Sequence, residues 1–460
     1  MKRSSARIAA LALVGALLRA LVPHAVDAAT QGLISPRVAL PGIPTKVTLV
    51  QAVAIAVAKS PTLAQARATY AQALAKYNVA KSAVFPSVSG SATATRTFSA
   101  GTIGGVGSGL GTPNGIYNSV NYGLKLSELI YDGGRVIAGI HVAKSGQVAG
   151  RDTLIRSLQE LGYTVAQAYY GVLLADRSVS VDQQIIKQYL TQARLVEAQI
   201  RVGAAAPSDL YSAQALTAQA RLQLVTDEGA RVAAQATFAT TLGLDANALI
   251  EPIDNTAGSL TAPAAQFSVL PYNKAVRRAL LMRPDYLAAL NGYQAAKENV
   301  RFNRLTKFPS INANASDGYQ SGLNGVPVQS KSLGATLTVP IFDQGLTNYN
   351  VAVAAAQADA AKAGVTLSRL QVESDVRSAI AKLDAARSAL DQAQASLKAA
   401  QVGYNAASAQ YKAGVANLVT LVTAEATLAT AQKNAVSSVY SLQTAEQNYE
   451  LALGESEYTK

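Results

Sequence analysis

Cysteine and tryptophan are absent from the 460 residues, and histidine occurs only twice, at His24 and His141. Without cysteine the chain has no disulfide framework and no thiolate chemistry, and it lacks the residue that a lipid anchor acylates. No glycine-rich phosphate loop or clustered carboxylate set follows a strand pattern, and His141 stands alone on a helical pattern. These absences argue against an enzyme and give no residue set for a metal or cofactor. The apolar run Ile8 to Leu18 is too short to span a bilayer, which takes roughly 20 residues, and Arg19 interrupts it.

With Met1-Lys2-Arg3 and Arg7 before that run and Val26-Asp27-Ala28 after it, the start reads as a secretory signal over 1–28, cleaved near Ala29. A retained anchor is the weaker alternative. Removing Lys2, Arg3, Arg7, Arg19 and Asp27 leaves 36 basic against 27 acidic residues. An excess of this sign can suit nucleic acid. Here it is scattered along helical patterns of an exported chain with no nucleic-acid motif, and reads as solvated surface.

The chain is written twice. Ser60-Pro61-Thr62 recurs as Arg283-Pro284-Asp285, and Phe85-Pro86-Ser87-Val88 as Phe308-Pro309-Ser310-Ile311, both at a shift of 223 residues. Ile130-Tyr131-Asp132-Gly133-Gly134 recurs as Ile341-Phe342-Asp343-Gln344-Gly345, and Arg201-Val202-Gly203 as Lys412-Ala413-Gly414, both at a shift of 211. The difference falls where the first half carries a glycine-rich stretch, Gly101 to Gly115, expected as a surface loop.

Between Pro86 and Asp132 apolar and polar residues alternate. Val88, Ala92, Ala94 and Phe98 oppose Ser87, Ser89, Ser91, Thr93, Thr95 and Thr97; Val120, Tyr122, Leu124, Leu126 and Ile130 follow on a returning segment. The second half repeats this through Ile311 to Tyr319 and Leu333 to Ile341. Period two means strands, so each half predicts one hairpin, over 86–131 and 309–342.

Proline-free stretches follow, from Gly134 to Gly203 and from Gly345 to Gly414. Apolar residues recur there at spacings of three and four: Val165, Val172, Val179, Tyr189 and Val196 in the first, broken by Asp182, and Val372, Val376, Leu383, Leu390 and Tyr411 in the second. A sustained repeat of seven predicts left-handed coiled coils. At about 1.5 Å per residue each helix reaches roughly 100 Å. Gly203 and Gly414 stop them, and returning helices keep the seam.

A strand with one aliphatic and one Ser/Thr/Asn face suits a soluble sandwich or a membrane barrel. The export signal and the aromatic residues near strand ends (Phe85, Phe98, Tyr117, Tyr131, Phe308, Tyr319) favour the barrel. Tyrosine must serve as its girdle, and Arg96 and Glu128, on the apolar faces, need a headgroup boundary. Four strands cannot close within one chain, and an open edge cannot stand in lipid. Two copies would give eight strands and a filled interior; three would give twelve and room for water.

Signal, duplicated halves, Phe-Pro-Ser before each hairpin, Tyr/Phe-Asp-x-Gly after it, and heptad helices turning at glycine together resemble the TolC-type outer-membrane efflux family over nearly all the mature chain. The resemblance implies a membrane α+β fold: a duplicated β-hairpin plus long coiled-coil helices, forming a trimeric 12-stranded β-barrel with a periplasmic α-helical barrel. Its expected organisation is a signal peptide (1–28), an N-terminal extended segment (29–48), a first repeat (49–250, long helical hairpin 134–242), a linker (251–268), a second repeat (269–453, long helical hairpin 345–453) and a disordered tail (454–460). It implies a homotrimer in outer-membrane lipid that docks on a periplasmic adaptor, or membrane fusion protein, and an inner-membrane pump. The expected function is the exit channel of a tripartite efflux or type I secretion system, a passive conduit with a gated periplasmic mouth. A periplasmic coiled-coil adaptor or structural envelope protein is the alternative, although it would need no duplicated lipid-facing hairpins.

Matched to the family, the mouth's latch carboxylate falls at Asp209 and its phenol at Tyr411; Asp209 could equally cap the returning helix, and Tyr411 could be seam. The family's acidic constriction falls at Thr420 and Thr423, and a latch arginine at Ala416, so cation selectivity should be weak. Arg201, Gly203, Lys412 and Gly414 mark the hairpin tips that would meet an adaptor. Asp132, Gly134, Asp343 and Gly345 form the repeated turns between strand and helix.

Overall fold

In the computed structural model the described residues are 44–99, 115–203, 205–248, 250–254, 268–321 and 327–455. The expected signal peptide, most of the N-terminal segment, Gly101 to Asn114, most of the linker and residues 456–460 lie outside them. The described residues from Lys46 onward pack as one unit. It holds two successive copies of one order of elements: a short strand, two short helices, a hairpin and two longer helices.

The first copy runs β1 (Lys46–Val47), α1 (Leu49–Lys59), α2 (Pro61–Ser82), β2 (Ser87–Ser99), β3 (Gly115–Tyr131), α3 (Arg135–Arg201) and α4 (Pro207–Thr241). The second runs β4 (Glu251–Pro252), α5 (Tyr272–Met282), α6 (Pro284–Arg304), β5 (Ser310–Ser321), β6 (Pro327–Thr338), α7 (Leu346–Lys412) and α8 (Leu418–Leu453). Pro61 and Pro284 occupy the first helical positions, where a missing N–H costs nothing.

The turn from strand into long helix is closed by the same pair of hydrogen bonds in both copies. Asp132 accepts from the amides of Gly134 (3.0 Å) and Val136 (2.7 Å), and Asp343 from those of Gly345 (3.1 Å) and Thr347 (3.0 Å). Each carboxylate thus satisfies two of the orphan donors at a helix start. Gly134 and Gly345 take positive φ, 88° and 82°. The middle positions differ. Gly133 is pressed by Phe308, so that a Cβ there would lie 2.5 Å from the ring-bearing carbon, whereas its counterpart Gln344 holds φ 56°.

The four long strands form one antiparallel sheet, in the order β2-β3-β5-β6. Asn121 to Leu129 of β3 pair with Gln320 to Asn312 of β5, joining the two copies. Among the described residues both outer strands, β2 and β6, keep a free edge.

α3 and α7 each contain 67 residues, about 100 Å of helix. α4 and α8, at 35 and 36 residues, return only part of the way; α2 and α6 flank the remainder of α3, and α6 also packs on α7. The predicted seams are buried: Val165, Val172, Val179, Tyr189 and Val196 in α3, and Val372, Val376, Leu383, Leu390 and Tyr411 in α7.

At mid-length the two copies meet again through strands that alternation could not reveal. β1 and β4 pair in parallel, Lys46 with Glu251 and Val47 with Pro252. The expected extended segment and linker therefore each contribute a strand. Tyr169 fixes the pair to α3 by donating to the Ile253 carbonyl at 2.6 Å, and Arg177 and Tyr440 bind Asp254 at 2.6 and 3.0 Å. Gly454, expected in a disordered tail, instead caps α8 at φ 76° and accepts from Gln159 at 2.8 Å.

Candidate functional site

At the far ends of the long helices Gly203 and Gly414 take φ 74° and 73°. After α7 the Val415 amide donates to Gln410 at 2.9 Å and the Gly414 amide to Tyr411 at 3.1 Å, the pair of bonds that closes a helix on a left-handed residue. Asn417 then caps α8 by accepting from the Thr420 amide and hydroxyl, at 3.0 and 2.9 Å. Arg201 and Lys412 are exposed, as are three apolar residues outside the predicted seams: Val202, Val415 and Val419, at 78%, 80% and 70%. A helix pattern marks such residues as breaks or ordinary turn positions, so only the structure shows that they share the tip.

Behind the tip α3, α7 and α8 pack around Val196, Ala407, Tyr411, Leu418 and Leu421, with Leu210 of α4 against them. Tyr411 is buried, and its hydroxyl has no hydrogen-bond partner among the described residues. Burial first, and then the charge of Asp209, pushes its phenol pKa up. Asp209 thus lies within electrostatic reach, but no hydrogen bond joins the two within the chain. Asp209 stands in the first turn of α4, which has no side-chain cap. Thr420 and Thr423 are both exposed, the second with its hydroxyl on the Val419 carbonyl at 2.8 Å.

Buried polar groups interrupt the helical seams. Glu425 of α8 is 3% exposed and faces Gln192 of α3, with Oε1 2.8 Å from the amide nitrogen once that amide is turned toward it. Desolvation pushes the Glu425 carboxyl up to about 7. Further from the tip, Lys433 of α8 donates to Asp182 of α3 at 2.7 Å and to Asp227 of α4 at 3.0 Å. Burial raises the Asp182 pKa, and the two carboxylates hold the Lys433 ammonium protonated against its own desolvation. Asp182 was legible as a break in the pattern; its partners, 45 and more residues away in sequence, were not.

At the opposite end the sheet presents two unlike faces. Val88, Leu124, Leu126, Leu333 and Leu337 stand exposed on one, although each is large and apolar. Toward the loops this face carries Tyr122 stacked on Tyr319 at 5.4 Å and the Asp317–Lys331 pair at 3.7 Å. Beyond the other end of the strands Phe85, Phe308 and Phe342 are exposed. Glu128 lies just past the end of the β2 pairing, which stops at Ser87 opposite Ser127. The side chains of Phe98 and Tyr117 lie outside the described part. The other face is mostly Ser, Thr and Asn, with Lys125, Gln320, Leu129 and Val328 among them; Ser127 donates to Asn314 at 3.0 Å and Ser316 is bonded to Ser332 at 2.8 Å. Among the described residues no helix is long and apolar enough to cross a membrane.

The family described as "Outer membrane efflux protein" matches residues 52–244 and 275–455, most of the chain. The chain belongs to this outer membrane efflux protein family. Protein CyaE of Bordetella pertussis is 27% identical over 388 residues, covering 82% of this chain and 78% of that protein. Among solved structures, a membrane protein from Pseudomonas aeruginosa superposes with a TM-score of 0.76 at 24% identity, over 88% of this chain and 93% of that one. The outer membrane channel CmeC of Campylobacter jejuni does so with a TM-score of 0.76 at 20% identity, over 88% and 85%. At these identities the structural likenesses establish the fold alone. As a member of the outer membrane efflux protein family the chain is an outer-membrane transport protein reaching into the periplasm.

Proposed function

We propose that three copies of this chain form a passive exit channel, with a twelve-stranded barrel in the outer membrane and a helical conduit below it. The observation that carries the reading is the open four-stranded sheet: it is lipid-like on one face, polar on the other and unpaired at β2 and β6. Free N–H and C=O groups are not tolerated against hydrocarbon, so β2 and β6 of neighbouring copies complete each other's ladders. From Tyr122 to Tyr131 the strand covers about 30 Å at ~3.3 Å per residue, or about 23 Å along the normal at a tilt near 40°, the height of an outer-membrane apolar band. Exposed apolar residues on α4 (Tyr211, Leu222, Val225) and α7 (Leu367, Leu370, Val402) supply further contact between copies.

In this reading the periplasmic mouth is held by Asp209 and Tyr411. The buried, unpartnered hydroxyl of Tyr411 favours it, since such a group gains by finding an acceptor. A charge-assisted bond worth about 1.5–3 kcal/mol biases a closed state without locking it. The tips, with Arg201, Lys412 and their exposed valines, dock on a periplasmic adaptor that couples the channel to an inner-membrane pump. Thr420 and Thr423 leave the mouth without acidic side chains at those positions, which weakens cation selectivity there.

Planar-bilayer recording of the protein extracted from outer membranes tests both parts. Native protein conducts and spends most of its time in low-conductance states, and Asp209→Ala raises the open fraction and antibiotic leakage into cells. Unchanged opening in Asp209→Ala removes the latch; native protein that never conducts removes the channel.

A further inference from the structure

The polar face of the sheet carries one charge. Following the register, this face takes Ser87, Ser89, Ser91, Thr93 and Thr95 of β2, Asn121, Lys125 and Ser127 of β3, Asn312, Asn314 and Ser316 of β5, and Ser330, Ser332 and Thr336 of β6. Lys125 is the sole ionisable side chain on it among the described residues. Its neighbours along the ladders are Ser89, Ser316 and, one strand further, Ser332. It is exposed, and no described carboxylate pairs with it. The duplication did not copy it, because the corresponding residue of the second hairpin is Thr336. The other charges of the sheet lie on the apolar face: Arg96, Glu128, Asp317 and Lys331 alternate in register with Leu124 and Leu126.

We propose that Lys125 makes the barrel an anion-favouring section of the conduit, where three symmetry-related ammonium groups at one height enrich anionic solutes and deplete cations. The inference rests on the twelve-stranded reading above. Twelve strands spaced about 4.8 Å apart and tilted near 40° enclose a backbone radius on the order of 12 Å. A lysine pointing inward from that wall brings its charge within about one Debye length of the axis, ~8 Å at physiological salt. Low-dielectric walls focus such a field, and a serine-lined surface offers hydroxyls to hydrate it and no charge to cancel it.

Bilayer recordings in a potassium chloride gradient read the effect as a shift in reversal potential. Lys125→Gln moves it toward the cation-selective side and Lys125→Glu moves it further the same way. Both shifts shrink at 1 M salt, where the Debye length is about 3 Å. Because the chain has no cysteine, Lys125→Cys and Leu124→Cys each create a sole thiol. A water-soluble anionic methanethiosulfonate reacts with Lys125→Cys in the assembled channel and shifts its reversal potential toward cations, while Leu124→Cys, on the apolar face, reacts only with a lipid-soluble maleimide. Lys125→Cys that reacts without any change in selectivity, or coincident reversal potentials for native protein and Lys125→Glu, overturns the proposal and leaves the barrel standing. Lys125→Cys that resists the water-soluble reagent overturns the barrel reading and the proposal together.

Discussion

At Glu425 the bundle surrounds a carboxyl with uncharged side chains. Leu421 and Leu428 share its face of α8, the Gln192 amide faces it from α3, and Tyr189 and Tyr404 approach from α3 and α7, so no described cation compensates a negative charge. Its pKa, raised by desolvation from an ordinary 4.5 to about 7, means that the folded state keeps a proton which the unfolded state releases. Stability contributed by the neutral carboxyl is therefore full below about pH 4.5 and is lost as pH rises through about 7. At about 1.4 kcal/mol per unit the loss amounts to about 3 kcal/mol. Thermal melting of the native protein should fall between pH 5 and pH 8, and Glu425→Gln should flatten that dependence and melt higher at pH 8. Identical pH profiles for the two would contradict the assignment. The sequence could not mark this residue, because one glutamate on a helix reads as solvated until its neighbours are known. Asp132 and Asp343 were legible, since Asp-x-Gly before a proline-free stretch states both the cap and the turn.

Among the elements, the long helices were legible from their repeat of seven, and the strands from their repeat of two. The short pair β1 and β4 was not, because two residues carry no period and their pairing spans the whole first copy. Registry between the helices also escaped the pattern. Ala-rich seams slide at little cost, and the Asp182–Lys433–Asp227 triad pins α3, α4 and α8 at one position that the duplication does not repeat: the matched residues are Ala393, Leu222 and Ser438. Removing the cation alone leaves Asp182, 2% exposed, as an uncompensated buried charge. Lys433→Met should then cost about 3–5 kcal/mol. Adding Asp182→Leu should restore most of that loss, because the buried charge goes with its partner and Gln223 still donates to Asp227 at 2.9 Å. Equal melting temperatures for native protein and Lys433→Met would show that the triad bears no strain of this kind.

For the whole molecule, the sheet and the helices point to the same assembly by independent routes. The sheet is incomplete in one chain because its two edges are free and its outer face is apolar. The helices are incomplete because α4 and α7 expose apolar residues along stretches that no described element of the same chain covers. The duplication could be read from punctuated landmarks, and with it the equivalence of the two hairpins. What could not be read is how the copies meet at the tip, since that depends on which face of each helix turns inward after about 100 Å of supercoil. Electron microscopy of the mature protein, extracted from outer membranes in detergent, tests the shared barrel most directly. The account predicts a threefold hollow cylinder with a helical part on the order of 100 Å long, capped by a barrel in which β2 of one copy pairs with β6 of the next. Particles without threefold symmetry, or a sheet whose β2 and β6 edges stay unpaired, would contradict it.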